Sequence, residues 1–451
     1  MRTAVALFTS DLRLYDNPVL RAAAGGADRV VPLFVLDEGV GRAGFAVPRR
    51  AAFLAGCLAD LDEGLRARGG RLVVREGEVV EEVCRVAGQS GADEVHVAAG
   101  VSAYAQRREE RLRAALGRER RRLTVHEAVT TVVPPGGPVP TGRDHFAVFT
   151  PYFRRWSAWP VRHVLAAPRR VEVPDEVAGA PLPVADAAYA VPKGGEGEGR
   201  RRLTAWLRGG LARYAELRDD LAADATSRLS PYLHFGCLSP VEVVTRVRGA
   251  GGPGAEAFVR QLAWRDFHHQ VLAAVPGAAV RDYRAREVRW RCDADEAGAW
   301  REGRTGFPVI DAAMRQLAGE GWMHNRARLL TASFLTKTLL HDWREGARHF
   351  LGLLVDGDVA DNQLNWQWAA GTGTDTRPGR VLNPLVQARR FDPDGAYVRR
   401  WVPELADVPG RLVHEPWRLG GAERARLRYP EPVVDLAAAA ARFRAARGRG
   451  Q

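Results

Sequence analysis

Residues 355–368 read Val355-Asp-Gly-Asp-Val-Ala-Asp-Asn-Gln-Leu-Asn-Trp-Gln-Trp368. If the part after Asp358 is helical, then Asp358, Asn362 and Trp366 share one face, because side chains four residues apart lie above one another. Trp368 then points about 200° around the axis from Trp366. The pattern predicts either a polar and aromatic stripe that faces a ligand or a plain buried helix capped by an aspartate.

The length and hydropathy of the chain limit its class. A chain of 451 residues is too long for one compact core, so two or more domains are expected. It has no run of about 18 apolar residues, which excludes a membrane-spanning helix at the level of sequence. No signal-peptide core precedes Asp11 and Arg13. We therefore expect a cytoplasmic protein that does not bind membranes.

The net charge of +12 and the pI near 10.1 favour a polyanionic partner. Almost all of the basic residues are arginine. A general bias in composition is the alternative explanation, because the chain is also rich in Ala, Gly and Val. The four cysteines are scattered and form no C-x-x-C pair, which argues against a zinc knuckle, an iron–sulfur cluster or a disulfide framework. No metal site is predicted.

The first 130 residues alternate between short β-branched runs and helical patterns. Helices are predicted at Arg49–Arg68, Val79–Ala87 and Tyr104–Leu116. Strands separated by helices predict a parallel sheet with both faces covered, here a five-stranded Rossmann-like sheet. No G-x-G-x-x-G follows the first strand, so a dinucleotide held in the Rossmann manner is not supported. The predicted strands are Thr3–Thr9, Val30–Leu36, Arg71–Arg75, Glu94–Ala98 and Leu123–His126.

The rest of the chain changes character twice. Residues 131–199 contain breaker clusters and one predicted helix, Phe149–Trp156, and are predicted to form a linker. Residues 200–451 are predicted to form an all-helical domain. Ser230-Pro231 and Ser239-Pro240 each place a capping residue before a proline suited to the first helical turn.

Three stretches of the helical region combine residues that suit ligand binding. Residues 226–232 place three hydroxyls and Arg228 before a helix, which suits a phosphate or plain helix capping. Residues 261–267 combine Gln261, Trp264 and Arg265, which could stack a base or a ring cofactor or form an ordinary core. Residues 321–328 mix an aromatic, an amide and two arginines around His324.

These motifs, taken in order, resemble the cryptochrome/photolyase family. The matching stretches are residues 226–232, 264–267, 306–317, 322–328 and 356–368. The resemblance runs from residues 9–17 to about Pro403, and within the family the chain looks most like the class I cyclobutane pyrimidine dimer photolyases. It implies an α/β N-terminal domain and an all-α C-terminal domain that binds FAD.

The resemblance also implies roles for individual residues. FAD would be bound by Tyr214, Thr226, Ser227, Arg228, Leu229, Ser230, Arg265, Arg328, Asp356, Gly357, Asp358 and Asn362. Asn362 would lie by the flavin N5, and Trp366, Trp343 and Trp290 would form a chain that photoreduces the flavin. The flipped lesion and the surrounding DNA would be bound by Arg218, Gln261, Trp264, Asn325, Arg326, Trp368 and Gln387.

The implied function is blue-light-driven repair of cyclobutane pyrimidine dimers by a monomeric lyase. Gln261 stands where dimer-repairing members usually have Glu, and Leu329 stands where a methionine usually contacts the dimer. Gln261 also occurs in (6-4) photolyases, but Asn325 replaces the second histidine of their usual pair and favours the cyclobutane lesion. The alternatives are a (6-4) photolyase and a cryptochrome-type photoreceptor.

A second, antenna chromophore is the least determined feature of the resemblance. Residues 47–58 resemble the antenna-side helix of deazaflavin-binding members. Residues 99–104 lack both the acidic residues of those members and the Asn-Glu pair of folate-binding ones. The sequence leaves open a deazaflavin, a folate or a weakened or absent antenna.

Overall fold

The computed structural model describes residues 1–286 and 288–448 and divides the chain into two compact units. Unit 1 comprises Met1–Ala215, Ser227–Pro276 and Val355–Ala360. Unit 2 comprises Glu216–Thr226, Gly277–Leu354 and Asp361–Gln451. Within the described residues, no helix combines the length and the apolar character that crossing a bilayer requires.

Unit 1 is built on a parallel five-stranded sheet with the order β3-β2-β1-β4-β5. All six residues of the central strand β1 are buried, as expected for a parallel strand covered on both faces. This confirms the predicted α/β fold. The strands are β1 (Thr3–Phe8), β2 (Arg29–Asp37), β3 (Val73–Gly77), β4 (Glu94–Ala98) and β5 (Arg122–His126).

The helices that follow these strands begin and end at recognisable signals. Asn17 caps the first helix by accepting a hydrogen bond from Leu20 N, and Gly91 ends the fourth in a left-handed conformation. The first seven helices are α1 (Pro18–Gly26), α2 (Glu38–Arg42), α3 (Pro48–Arg66), α4 (Val79–Ser90), α5 (Ala103–Arg118), α6 (Phe149–Ala158) and α7 (Glu196–Gly209).

The remainder of the chain is helical, as predicted. Ser239 caps its helix by accepting from Val241 N and Glu242 N, whereas Ser230 is itself the first helical residue and Leu229 takes the capping position. These helices are α8 (Tyr214–Leu217), α9 (Ser230–His234), α10 (Pro240–Ala250), α11 (Gly252–Ala274), α12 (Ala294–Arg301), α13 (Pro308–Glu320), α14 (Asn325–Ser333), α15 (Trp343–Leu353), α16 (Val359–Ala370), α17 (Pro384–Phe391), α18 (Ala396–Trp401), α19 (Gly421–Arg426) and α20 (Leu436–Gly448).

Short irregular helices complete the fold. A π-helical turn, Phe334–Thr338, continues α14, and all five of its residues are buried. The 3-10 turns are Pro276–Ala279, Pro403–Leu405, Gly410–His414 and Pro416–Arg418. The core of unit 2 gathers around α13, α14, α15 and α16, with Trp300 and Trp343 fully buried within it.

Candidate functional site

Helix α11 in unit 1 carries three of the predicted site residues within two turns. Gln261, Trp264 and Arg265 are each partly exposed, whereas the intervening residues are buried. The Arg265 guanidinium donates to Thr130 O at 2.5 Å and to Leu233 O at 3.5 Å. These two backbone carbonyls fix the arginine, so its positive charge has a defined position.

Asp266 anchors α11 to the backbone at residues 132–133 and to α6. Its Oδ2 accepts from Val132 N at 2.9 Å, from Val133 N at 3.1 Å and from Trp156 Nε1 at 2.9 Å. Arg265 lies 3.9 Å from the other carboxylate oxygen. Burial raises the pKa of Asp266, while these partners oppose the rise. Asp266 therefore has a structural role, because it holds α11 against α6.

Trp264 lies in a stack of aromatic rings between α11 and α6. The Phe149 ring is parallel to it, with the centroids 3.7 Å apart and the planes inclined by 5°. Phe267 meets Trp264 edge-on at 5.5 Å. One face of the tryptophan is thus occupied by protein, which leaves at most the other face for a ligand.

Asp358 lies between two histidines in unit 1. Its Oδ2 is 3.4 Å from His269 Nε2 and 3.8 Å from His234 Nδ1. Burial raises the pKa of the Asp358 carboxyl, but His269, His234 and Arg265 outweigh burial and hold that pKa well below its ordinary value. Asp358 is therefore an anion at neutral pH.

His269 has acceptors at both ring nitrogens. Its Nδ1 lies 2.9 Å from Arg265 O, and its Nε2 faces the Asp358 carboxylate. The His269 ring therefore bridges the Arg265 carbonyl on its own helix and the Asp358 carboxylate.

The remaining predicted cofactor-binding residues of unit 1 occupy turns and packed positions. Ser227 Oγ accepts from Leu229 N at 3.4 Å, and Arg228 between them has a positive φ of 48°. Tyr214 packs edge-on against Phe258 with the centroids 5.3 Å apart. Burial lowers the pKa of Arg50 to about 10, and the negative charge of Asp356 opposes this decrease. Gly357 lies in the turn between Asp356 and Asp358.

In unit 2, α14 begins at predicted DNA-binding residues. Asn325 is exposed at its first position, and His324 caps the helix through Nδ1, which accepts from Arg326 N at 3.1 Å. Arg326 donates to Asp219 Oδ1 at 2.8 Å, and Arg328 donates to Met323 O at 2.9 Å. Burial lowers the pKa of His324 to about 4, so its ring is neutral and can accept the capping bond.

The three tryptophans predicted to conduct electrons share one hydrophobic core in unit 2. Trp343 and Trp366 are 0% and 2% exposed, and the partly exposed Trp290 packs against the same core. Trp343 Nε1 donates to Asp282 Oδ1 at 2.8 Å. The set therefore contains two buried rings and one that reaches toward solvent.

Trp366 fits a slot that a glycine provides. A Cβ added at Gly346 on α15 would lie 2.2 Å from the Trp366 ring, so no larger residue fits there without displacing the indole. Phe350 meets Trp366 edge-on at 4.9 Å, and Trp300 does so at 5.9 Å. The plane of Trp366 is thereby fixed.

Two polar groups of unit 2 bear on whether the chain fits a cofactor. Thr226 Oγ1 is buried and makes no hydrogen bond to any described residue, which is unusual for a buried hydroxyl. Asn362 Nδ2 donates to Ala347 O at 3.1 Å, which fixes the amide on α16. A buried hydroxyl without a protein partner fits a position that is completed by a polar ligand.

The last predicted residues are partly exposed. Trp368 lies on α16 and Gln387 on α17, and Arg218 follows α8. All three can therefore meet a ligand from solvent.

The motif at residues 306–317 has a structural explanation. Asp311 on α13 accepts from Thr305 N at 2.7 Å, from Thr305 Oγ1 at 2.6 Å and from Gly306 N at 3.0 Å, and Tyr429 also donates to it. Burial raises the pKa of Asp311 to about 6. This aspartate ties the start of α13 to the segment near the C-terminus.

Comparison with known proteins identifies the family. Residues 4–172 match the family model described as DNA photolyase, and residues 258–449 match that of the FAD binding domain of DNA photolyase. The chain belongs to the cryptochrome/photolyase family. It is 66% identical to the deoxyribodipyrimidine photo-lyase of Streptomyces griseus, over 99% of this chain and 100% of that protein.

Solved structures agree with this assignment. A class III photolyase from Agrobacterium tumefaciens has a TM-score of 0.89 at 30% identity, covering 99% of this chain and 97% of that one. A cryptochrome from Synechocystis has a TM-score of 0.91 at 29% identity, covering 98% of each chain. A photolyase and a cryptochrome therefore share this fold, so the fold alone does not decide between the two.

Three residues that shape the site are not among those predicted from the sequence. His269 follows Arg265 by four positions and therefore shares its helix face, a spacing that is visible in the sequence. His234 and Phe149 meet their partners only through distant parts of the chain. No local sequence pattern predicts such contacts.

Proposed function

We propose that the chain repairs cyclobutane pyrimidine dimers in DNA under blue light. The observation that carries this proposal is the 66% identity, over the full length of both chains, to a protein named deoxyribodipyrimidine photo-lyase. The resemblance supports the cyclobutane lesion over the (6-4) lesion, because Asn325 stands where (6-4) photolyases usually have the second histidine of a pair. The net charge of +12 suits a phosphate backbone.

The chain would hold FAD through the residues predicted above, and the buried Thr226 hydroxyl and the ionised Asp358 fit such a role. When bound and reduced, FAD supplies a light-driven electron for opening the dimer ring and recovers it afterwards. Trp264 and Trp368 would form walls for the extruded bases, because flipped bases stack on aromatic rings. Arg218, Gln261, Asn325, Arg326 and Gln387 would contact the lesion or the surrounding DNA.

The protein matrix contributes position and exclusion of water. Arg265 and Asp358 are fixed by backbone carbonyls and histidines, so their charges are preorganised. Trp366 and Trp343 are shielded from solvent, and Trp290 reaches it. This gradation suits an electron path that runs from the interior outward.

A repair assay on both lesions tests the function. The reduced, FAD-loaded protein should restore thymine absorbance when DNA containing cyclobutane dimers is illuminated. DNA containing the (6-4) lesion should show no recovery. Recovery of only the (6-4) substrate would identify the alternative enzyme, and no recovery with either lesion would favour a photoreceptor.

Replacing Trp366 by phenylalanine should slow flavin photoreduction and leave FAD bound. Phenylalanine fills most of the slot beside Gly346 but is much harder to oxidise than tryptophan. The rate of flavin photoreduction is measured from the change in flavin absorbance while the oxidised protein is illuminated in the presence of an external reductant. Trp300→Phe is a matched control, since Trp300 also lies in this core but is not one of the three predicted residues. An unchanged rate in Trp366→Phe would remove that residue from the path.

The proposal also covers the division of the chain into domains. We propose residues 1–130 as an antenna-type domain, 131–199 as a linker and 200–451 as the FAD-binding and DNA-binding domain. A cytoplasmic monomer is consistent with these assignments. For the second chromophore, the sequence leaves open a deazaflavin, a folate or a weakened or absent antenna.

A further inference from the structure

The contact between Phe149 and Trp264 is closer and more nearly parallel than most aromatic pairs. Ring centroids in proteins usually lie 4.5–7 Å apart in offset or edge-on arrangements. Here the separation is 3.7 Å and the inclination 5°. Two rings in this arrangement cover each other's faces, so Phe149 determines the plane of the tryptophan.

Phe149 is itself immobilised from several sides. It is 5% exposed, meets Phe267 edge-on at 5.7 Å and stacks on Phe153 at 5.6 Å. The Arg260 guanidinium lies 4.9 Å from the Phe149 centroid and 4.8 Å from that of Phe153. Because the Phe149 ring is immobilised, it also restricts the orientation of the Trp264 ring that stacks on it.

The helix that carries Phe149 is also anchored to the helix that carries Trp264. Trp156, seven residues later on α6, donates its Nε1 hydrogen to Asp266 on α11. Asp266 is two residues after Trp264, so the two contacts join α6 and α11 within one turn of α11. The spacing of the two helices is therefore fixed where the rings meet.

We propose that Phe149 is a positioning residue for recognition of the lesion: it fixes the plane of Trp264 so that the opposite face is presented, already ordered, to an extruded base. The inference rests on the proposed function. A ring that is ordered before binding loses less conformational freedom when a base stacks on it. Undamaged duplex keeps its bases stacked inside, so its binding does not depend on this face.

The test compares Phe149→Leu with the matched control Phe153→Leu, each in the full FAD-loaded chain. Phe153 contacts Phe149 and Arg260 in the same stack but forms no ring contact with Trp264 among the described residues. Phe149→Leu should raise the Kd for dimer-containing duplex roughly fivefold. Phe153→Leu should leave that Kd close to the wild-type value, and Phe149→Tyr should restore it because the flat ring returns.

Three further measurements separate positioning from general damage to the fold. The flavin content should be unchanged in Phe149→Leu, because Phe149 is not among the residues predicted to bind FAD. The Kd for undamaged duplex and its dependence on salt should also be unchanged, because phosphate contacts set both. Repair at saturating DNA should change less than the Kd. If Phe149→Leu does not accumulate as folded protein, Phe149→Met, which keeps volume without a ring face, replaces it.

Distinct outcomes overturn the inference and the function. Wild-type affinity for the lesion in Phe149→Leu, an equal loss in Phe153→Leu, or an equal loss for undamaged duplex would each reject the positioning role. Failure of the wild-type protein to prefer or repair dimer-containing DNA would reject the proposed function itself. Repair by the wild type with an unaffected Phe149→Leu variant would reject only the inference.

Discussion

Replacing Asp266 by alanine is expected to lower the free energy of unfolding of unit 1 by about 4 kcal/mol, because three donors lose one buried acceptor. Two are backbone N–H groups, of Val132 and Val133, and the third is Trp156 Nε1. Asp266 is 2% exposed, so water cannot replace the carboxylate without opening the contact between α6 and α11. Urea unfolding followed by tryptophan fluorescence measures the loss.

Asp266→Asn separates the acceptor from the charge. All three donors converge on one oxygen, Oδ2, and an asparagine can place its carbonyl oxygen at the same point. Since burial raises the pKa of Asp266, a neutral side chain is not penalised by burial there. The asparagine variant should therefore lose clearly less stability than the alanine variant. Equal losses would mean that the charge, and not the shared acceptor, stabilises this junction.

Acidification should destabilise unit 2 through His324, and His324→Asn should remove that part of the effect. The ordinary pKa of histidine is near 6.5, and burial lowers the pKa of His324 to about 4. Between these values the unfolded chain binds a proton that the folded chain does not, so stability falls as the pH drops. From pH 7 to pH 5 this loss is about 2 kcal/mol.

The histidine effect is best measured as a difference between two proteins. Asp311 acts in the opposite direction, because burial raises its pKa to about 6 and the folded chain then takes up a proton first. Asparagine at 324 retains a capping oxygen for Arg326 N and does not titrate in this range. The stability of His324→Asn relative to wild type should therefore rise by about 2 kcal/mol from pH 7 to pH 5. A pH-independent difference would contradict the assignment.

The sequence predicted the α/β architecture because short-range patterns determine it. Alternating strand and helix signals placed all five strands to within about two residues, and the proline after Ser239 marked the start of α10. The helix Pro18–Gly26 was missed because its alanines and glycines carry little periodicity. The sequence predicted Ser230 as the N-cap of α9, but in the structure Leu229, one residue earlier, takes that position.

The candidate site was only partly accessible in this way. For residues on one helix, such as Gln261, Trp264 and Arg265, the sequence spacing predicts that they lie close together. Phe149 and Trp264 are 115 positions apart, and their stack depends on how α6 meets α11. The pairing of Asp358 with His234 likewise depends on a long-range approach. Tertiary packing, which no local pattern encodes, creates both.

The slot beside Gly346 ties the evolution of two positions together. As long as an indole occupies position 366, the facing residue on α15 cannot acquire even a methyl group without a clash. A lineage that lost the tryptophan would release this constraint, and alanine, which favours helix over glycine, would then be advantageous at position 346. The two positions are therefore expected to change together among homologues, with the tryptophan exchanged first.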